Sequence, residues 1–274
     1  MTGPEFWRRS RAPVMAAHRA VQIKQMIVGG WFMSVREKIL GAEARWVMGR
    51  VMAGDFLDGV DKYLQLVAPE REKELSAAIR ARAGELAEAD KDMIVDQPSE
   101  GALGIGAAVL ASFEMLLPLF DGDERRTILY LQHVMGEVLT RPYEIAFKTL
   151  SERNNPLDKI EKVCRAEEPF YGAGWDIDFE RPEPGRFEMN IRRCFWRDFF
   201  SRHDARLVTT VMCAWDTNWM RAIDPAVSGL RAERTSLLSL GDDQCRFAVL
   251  ETDDPLAGYT DKIEQRFVAQ QEPG

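Results

Sequence analysis

Four cysteines in 274 residues are too few for a disulfide framework. A reducing, cytoplasmic setting with free thiols is therefore expected. Basic residues are in deficit: 36 Lys and Arg stand against 44 Asp and Glu, a formal charge of −8. The electrostatic footprint of a nucleic-acid binder is missing, so no nucleic-acid partner is expected. The chain has no Gly-Lys-Ser/Thr phosphate loop, no HExxH and no GxSxG. It also lacks a long unbroken apolar run. The most apolar stretch, "GALGIGAAVLASFEMLLPLF", is broken by Glu114 and ended by Pro118, which reads as too short and interrupted to span a membrane. The opening segment carries twin arginines but no apolar core after them, so no secretory leader is expected.

What is present is an ordinary globular composition, 46% hydrophobic and 29% charged, with enough apolar matter for a sizeable core. The first half reads as helices. Spaced apolar positions (Val21, Met26, Ile27, Trp31, Val35, Ile39) predict a helix from about Pro13 to Gly49, and Asp55 to Val67 predicts a short one. A charged, surface-lying helix follows Pro69, then a buried one after Ser99. Asp121 to Asp123 interrupts, helix resumes to the "NNP" stop at Asn154 to Pro156, and Leu157 to Glu167 closes the series.

The period then changes from helical to alternating. "WDIDFE" and "RFEMNIRR" predict a hairpin across the turn "RPEPG", and a helix from Cys194 to His203 follows. "ARLVTTVMC" reads as a third strand, "DTNWMRAI" as a short helix, and "GLRAERTSLL" and "QCRFAVLE" as two more strands around "LGDD"; the tail reads as a weak helix. Helices first and strands second imply an α+β fold, a helical N-terminal half packed on a C-terminal antiparallel sheet of about five strands. A boundary near Phe170 divides a helical region, 1–169, from an α+β region, 170–274. It separates two domains, or merely helical cover from sheet within one.

Chemistry concentrates in the second region. "GIGAA" at Gly104 lacks the third glycine and preceding strand of a dinucleotide loop and reads as close helix packing. His18 and His133 have no ligand-spaced partner. His203 ends a helix, where a cation suits the dipole, and is a minor catalytic candidate. Cys164 lies in a charged helix and reads as incidental. Cys194, Cys213 and Cys245 all fall at strand ends or on the packed side of one small sheet, by strand parity. Packing alone buries many free cysteines. Two arginines argue for more: Arg193 shares the parity of Phe187, Met189 and Ile191, and Arg234 that of Leu230, Ala232 and Leu238. An inward guanidinium needs an anion, either Asp216, Glu233 or the carboxylate of a substrate. Such a cation would also lower a thiol pKa.

The run "RRC", then "CAWD", then "RAERTSLLSLGDDQCRF" resembles the L-2-amino-thiazoline-4-carboxylic acid hydrolase family. The resemblance rests on Cys194, on Cys213 with Asp216, and on Gly241, Cys245 and Phe247, and covers roughly Phe170 to Glu251. It implies a hydrolase opening a C–N bond in a small cyclic amidine or thiazoline-type carboxylate. Cys213, Asp216, Cys245 and Cys194 would then be catalytic, Arg193 and Arg234 substrate-binding. Either a thiolate attacks the ring carbon, or Asp216 serves as base on water with the thiols shaping the pocket. "LGDDQCRF" is also similar to the closing segment of vinyl-reductase-type small-ligand domains, which would make the sheet a ligand-binding or sensor module. A third reading follows organomercurial lyases, where two thiols grip a soft atom and an acid moves a proton. Three thiols and an aspartate could hold a soft metal, but no Cys-x-x-Cys pair is present, so no metal and no cofactor are expected. The expected partner is a small molecule, not a membrane, and a large apolar helical half makes self-association reasonable.

Overall fold

The computed structural model describes residues 37–152 and 154–263. His18 and the predicted helical positions before residue 37 lie outside the described residues. One helix, α1 (Glu37–Val67), runs through both Gly49 and Gly54, where the sequence suggested two helices. Gly59 lets a later helix approach it closely: a Cβ there would lie 2.6 Å from Val134 Cγ1. Next, α2 (Glu72–Ala89) buries a single stripe, Leu75, Ile79, Ala83 and Leu86, and leaves its charged faces outside. Two of those charges reach across to neighbours, Arg80 to Asp61 at 2.7 Å and Arg82 to Glu114 at 2.6 Å.

The central helix is α3 (Gln97–Leu116), with a short 3-10 turn Leu117–Phe120 after it. Its start is fixed by a reciprocal cap: Ser99 N donates to Asp96 Oδ1 at 2.8 Å, and Asp96 N donates to Ser99 Oγ at 2.9 Å. Residues 102–112 are buried without a break. From Gln97 to Phe120 the segment is long and apolar enough to cross a membrane by length and composition, which corrects the expectation that it is too short. Here it is the core helix, packed against α1, α2 and a later helix. Of the two glycines in "GIGAA", Gly106 serves packing: a Cβ there would lie 3.2 Å from Phe199.

Left-handed residues punctuate the rest of the helical half. Asp121, Leu139 and Asn155 have φ of 59°, 53° and 55° and delimit α4 (Glu124–Glu137), α5 (Thr140–Ser151) and α6 (Pro156–Tyr171). The sheet follows, with β1 (Asp176–Glu180) and β2 (Arg186–Arg193) as the predicted hairpin. After it come α7 (Phe195–Arg202), α8 (Thr209–Trp215), α9 (Thr217–Arg221), α10 (Pro225–Ser228), β3 (Leu230–Ser236), β4 (Cys245–Glu251) and β5 (Thr260–Asp261). The strand order is β1-β2-β4-β3-β5.

The α+β class and the five strands are as expected, but two features are corrected. The sheet is mixed, because β5 pairs in parallel with β3. The segment expected as a third strand is helical: Leu207 belongs to a 3-10 turn, Arg206–Val208, and Thr209 to Trp215 form α8. Thr209, Thr210, Val211 and Met212 are buried one after another, and a run covered on all sides does not distinguish strand from helix by its period. The fifth strand comes instead from the tail.

One face of the sheet carries Phe187, Met189, Phe247, Val249, Ala232 and Arg234 in register and packs into the interior. The other face carries a lattice of ion pairs, Arg186 with Glu188 (2.6 Å) and Glu233 (2.9 Å), and Arg231 with Glu233 (3.2 Å). The buried apolar residues from Met52 to Ile263 form one continuous cluster, so helices and sheet share a core.

Candidate functional site

The site is built around a fully buried arginine. Arg234 on β3 has no exposed surface and lies over the Phe247 ring, 5.3 Å from its centroid. Its Nε and Nη2 donate to the two carboxylate oxygens of Asp261 on β5, at 3.0 and 2.6 Å. Its Nη1 donates to the Cys213 carbonyl at 2.8 Å and to Asp216 Oδ2 at 3.2 Å. Burial opposes the charge, but Asp261 and Asp216 outweigh it and hold the guanidinium protonated. One cation thus serves two carboxylates unequally, Asp261 through a two-point fork and Asp216 through a single longer contact.

Asp216 lies at the junction of α8 and α9, one turn after Cys213. A quarter of its side chain is open, whereas Asp261 is closed. The dense surroundings raise the Asp216 pKa, Arg234 pulls it down and Asp261 pushes it up again, leaving it at about 6.

The three thiols of the sheet region gather around this pair. Cys213 is half-buried on α8, and its Sγ lies 3.6 Å from Ser239 Oγ. Cys194, also half-buried, precedes α7, and the backbone N–H groups of Trp196 and Arg197 donate to its sulfur. Cys245 opens β4, buried, and accepts from Leu238 N at 3.3 Å. Burial raises all three, Cys194 to about 11 and Cys213 to about 12. They also act on one another: a charge on Cys194 raises Cys213, and both raise Cys245. At neutral pH the cluster is therefore three S–H groups beside one ionised carboxylate.

Two expectations about the arginines are corrected. Arg193 is exposed, and its Nη2 donates to the Ala173 carbonyl. An irregularity in the β1–β2 register, between Asp176 and Ile177, breaks the parity on which its inward placement rested. Arg234 is inward as expected, but Asp261 takes the fork meant for a substrate carboxylate. Glu233 points to the opposite face, where it pairs with Arg186 and Arg231.

The remaining candidates lie elsewhere. His203, after the far end of α7, has Nε2 2.7 Å from Asp90 Oδ2 and takes no part in the thiol cluster. Cys164 is buried on α6. Among the described residues, no group of three or more His, Cys, Asp or Glu side chains is placed to hold a metal ion.

Sequence reasoning missed Ser239 and Asp261. Ser239 sits inside the quoted run "SLLSLGDDQC", where a serine beside glycine reads as turn chemistry. Asp261 lies in a two-residue strand, too short to show a period.

Residues 117–249 match the L-2-amino-thiazoline-4-carboxylic acid hydrolase family. The matched segment runs from the end of α3 through β4 and contains Cys194, Cys213, Asp216, Arg234 and Cys245; Asp261 lies beyond it. The resemblance carried by the cysteines and Asp216 is thus met by an independent match, and the family's name points to a hydrolase of a thiazoline carboxylate. No curated protein and no solved structure matches the chain.

Proposed function

We propose that the chain is a hydrolase that opens a C–N bond in a small cyclic amidine or thiazoline-type carboxylate at the Cys213–Asp216 site. The observation that carries this reading is the open quarter of Asp216, poised at about 6 beside a half-buried thiol. A carboxyl group there is ionised at neutral pH, yet basic enough to take a proton and return it.

The ring carbon of a thiazoline is bonded to sulfur and nitrogen and is electrophilic once the nitrogen is protonated. Cys213 Sγ attacks that carbon while its proton passes to Asp216. Asp216 hands the proton to the ring nitrogen, the C–N bond breaks and an amine departs. Water, deprotonated by Asp216, then displaces Cys213 from the adduct, and Asp216 returns that proton to the departing sulfur, so the net change is the addition of one water. Moving a proton from a thiol at about 12 to a carboxylate at about 6 costs about 8 kcal/mol. A barrier of about 17 kcal/mol corresponds to one turnover per second, so this step fits beneath it. Cys194, half-buried beside the site, supplies a soft wall for the ring sulfur.

The test is incubation of purified protein with L-2-amino-thiazoline-4-carboxylate and other cyclic amidine carboxylates, followed by mass spectrometry and amine and thiol titration. Gain of one water with a new amine is expected; a new thiol instead would mean C–S cleavage. Cys213→Ala and Asp216→Asn should each abolish turnover, with the alanine variant destabilised by only about 1 kcal/mol. Full activity in both variants would refute the assignment. Saturable binding with no product would favour a ligand-binding or sensor module.

A further inference from the structure

We infer that Asp261 is a positioning residue of the site: it occupies the Arg234 fork, leaves Asp216 a single longer contact, and so keeps that carboxylate available for proton transfer. The inference rests on the proposed role of Asp216.

The geometry of the shared cation carries it. Arg234 touches both aspartates but gives its fork to only one. Asp261 holds it, at 3.0 and 2.6 Å, and is further fixed by Ile263 N donating to Oδ1 at 3.0 Å. Asp216 receives one N–H at 3.2 Å, and the same Nη1 also serves the Cys213 carbonyl. A carboxylate clamped in an arginine fork is a poor base, because accepting a proton forfeits two charge-assisted bonds. A carboxylate with one long contact forfeits little. Asp261 therefore stabilises the buried cation while its own negative charge offsets part of what that cation does to Asp216.

The charged and titratable groups that act on Asp216 are Arg234 from β3 and Asp261 from β5. Asp216 in turn acts on Cys194, at the start of α7, and on Cys213 of α8. Cys245 of β4 joins through its coupling to those two thiols, and Asp198 of α7 acts on Cys194. The thiols are un-ionised at neutral pH, so Arg234 and Asp261 are the two charges that set the Asp216 proton affinity.

The experiment is a carboxyl-carbon NMR titration of the full chain, with the Asp216 signal assigned by its loss in Asp216→Asn. In Asp261→Asn, the Arg234 fork becomes free to turn to Asp216, and Asp216 should bind its proton about tenfold more weakly. The acid limb of the kcat/KM profile should move to lower pH by the same factor, and Asp261→Glu, which keeps the charge, should restore most of it. An unchanged Asp216 titration in folded Asp261→Asn overturns the inference. If that variant does not fold, the unaltered protein decides through its Arg234 nitrogen signals. The Nη1 signal should follow the Asp216 titration while Nε stays constant, and an Nε signal that moves with Asp216 overturns the inference. A shifted Asp216 titration without any ring opening supports the Asp261 coupling and sinks the hydrolase reading alone.

Discussion

A thiol inside a protein gives up its proton at a cost set by what surrounds the sulfur. Cys194 receives two backbone N–H groups and Cys213 sits within reach of Arg234, yet burial wins at both, holding them at about 11 and about 12. The sequence-based idea that an inward arginine would activate a thiol thus has the right neighbours and the wrong winner: Arg234 pulls Cys213 down, but burial outweighs it and Asp216 pushes the same way as burial. Alkylation at mildly alkaline pH should therefore be slow in the native protein and rank by thiolate content and access. Iodoacetamide with peptide mass mapping should label Cys194 before Cys213, and leave Cys245 and Cys164, both buried, unmodified until the chain is unfolded. Rapid labelling of Cys164 in the native state would contradict this order.

Elements were readable from sequence where apolar and polar residues alternate. The alternation in "WDIDFE" and "RFEMNIRR" and the turn between them gave the β1–β2 hairpin its correct place. The stops at Asp121 to Asp123 and at Asn155 mark real breaks, because the chain turns left-handed there. Reading failed where the sequence shows no clear period. Thr209 to Val211 is β-branched and suits a strand by composition, but a run buried on every side carries no period to separate strand from helix, and it folds as helix. That helix is what sets Cys213 and Asp216 one turn apart, so the error of element left the pairing intact. The element boundary that joins the two halves is the α3 cap. Asp96 accepts from Ser99 N and also from Ala173 N, at 2.6 Å, just ahead of β1. Gly172 beside it has φ +68°, and a Cβ there would lie 2.3 Å from Asp96 Oδ2, so the contact requires glycine. Asp96→Ala should lose both bonds and cost about 1–2 kcal/mol in urea unfolding; a change of a few tenths would mean that water replaces the cap.

At the scale of the whole molecule, the site works against the fold that holds it. Burial raises Asp216 from its ordinary 3.8 to about 6. A folded-state pKa above the unfolded one means that the native protein binds more protons between those values. Its stability therefore falls as pH rises from about 4 to about 6 and stays lowered above that. The difference corresponds to about 3 kcal/mol of native stability lost when Asp216 is ionised. Glu167 on α6, raised by burial to about 7, adds a loss of the same sign at slightly higher pH. Replacing Asp216 by asparagine keeps the shape and removes the charge. Arg234 keeps its fork to Asp261, so no unpaired cation is left behind. Asp216→Asn should thus be more stable than the parent at pH 8, by about 1–3 kcal/mol in urea, with the gain shrinking toward zero at pH 4. The same variant should be inactive in the ring-opening assay, a trade of stability against activity located in one oxygen atom. Equal or lower stability of Asp216→Asn at pH 8 would show that the carboxylate supports the fold, and that its raised pKa is not a strain the protein carries for function.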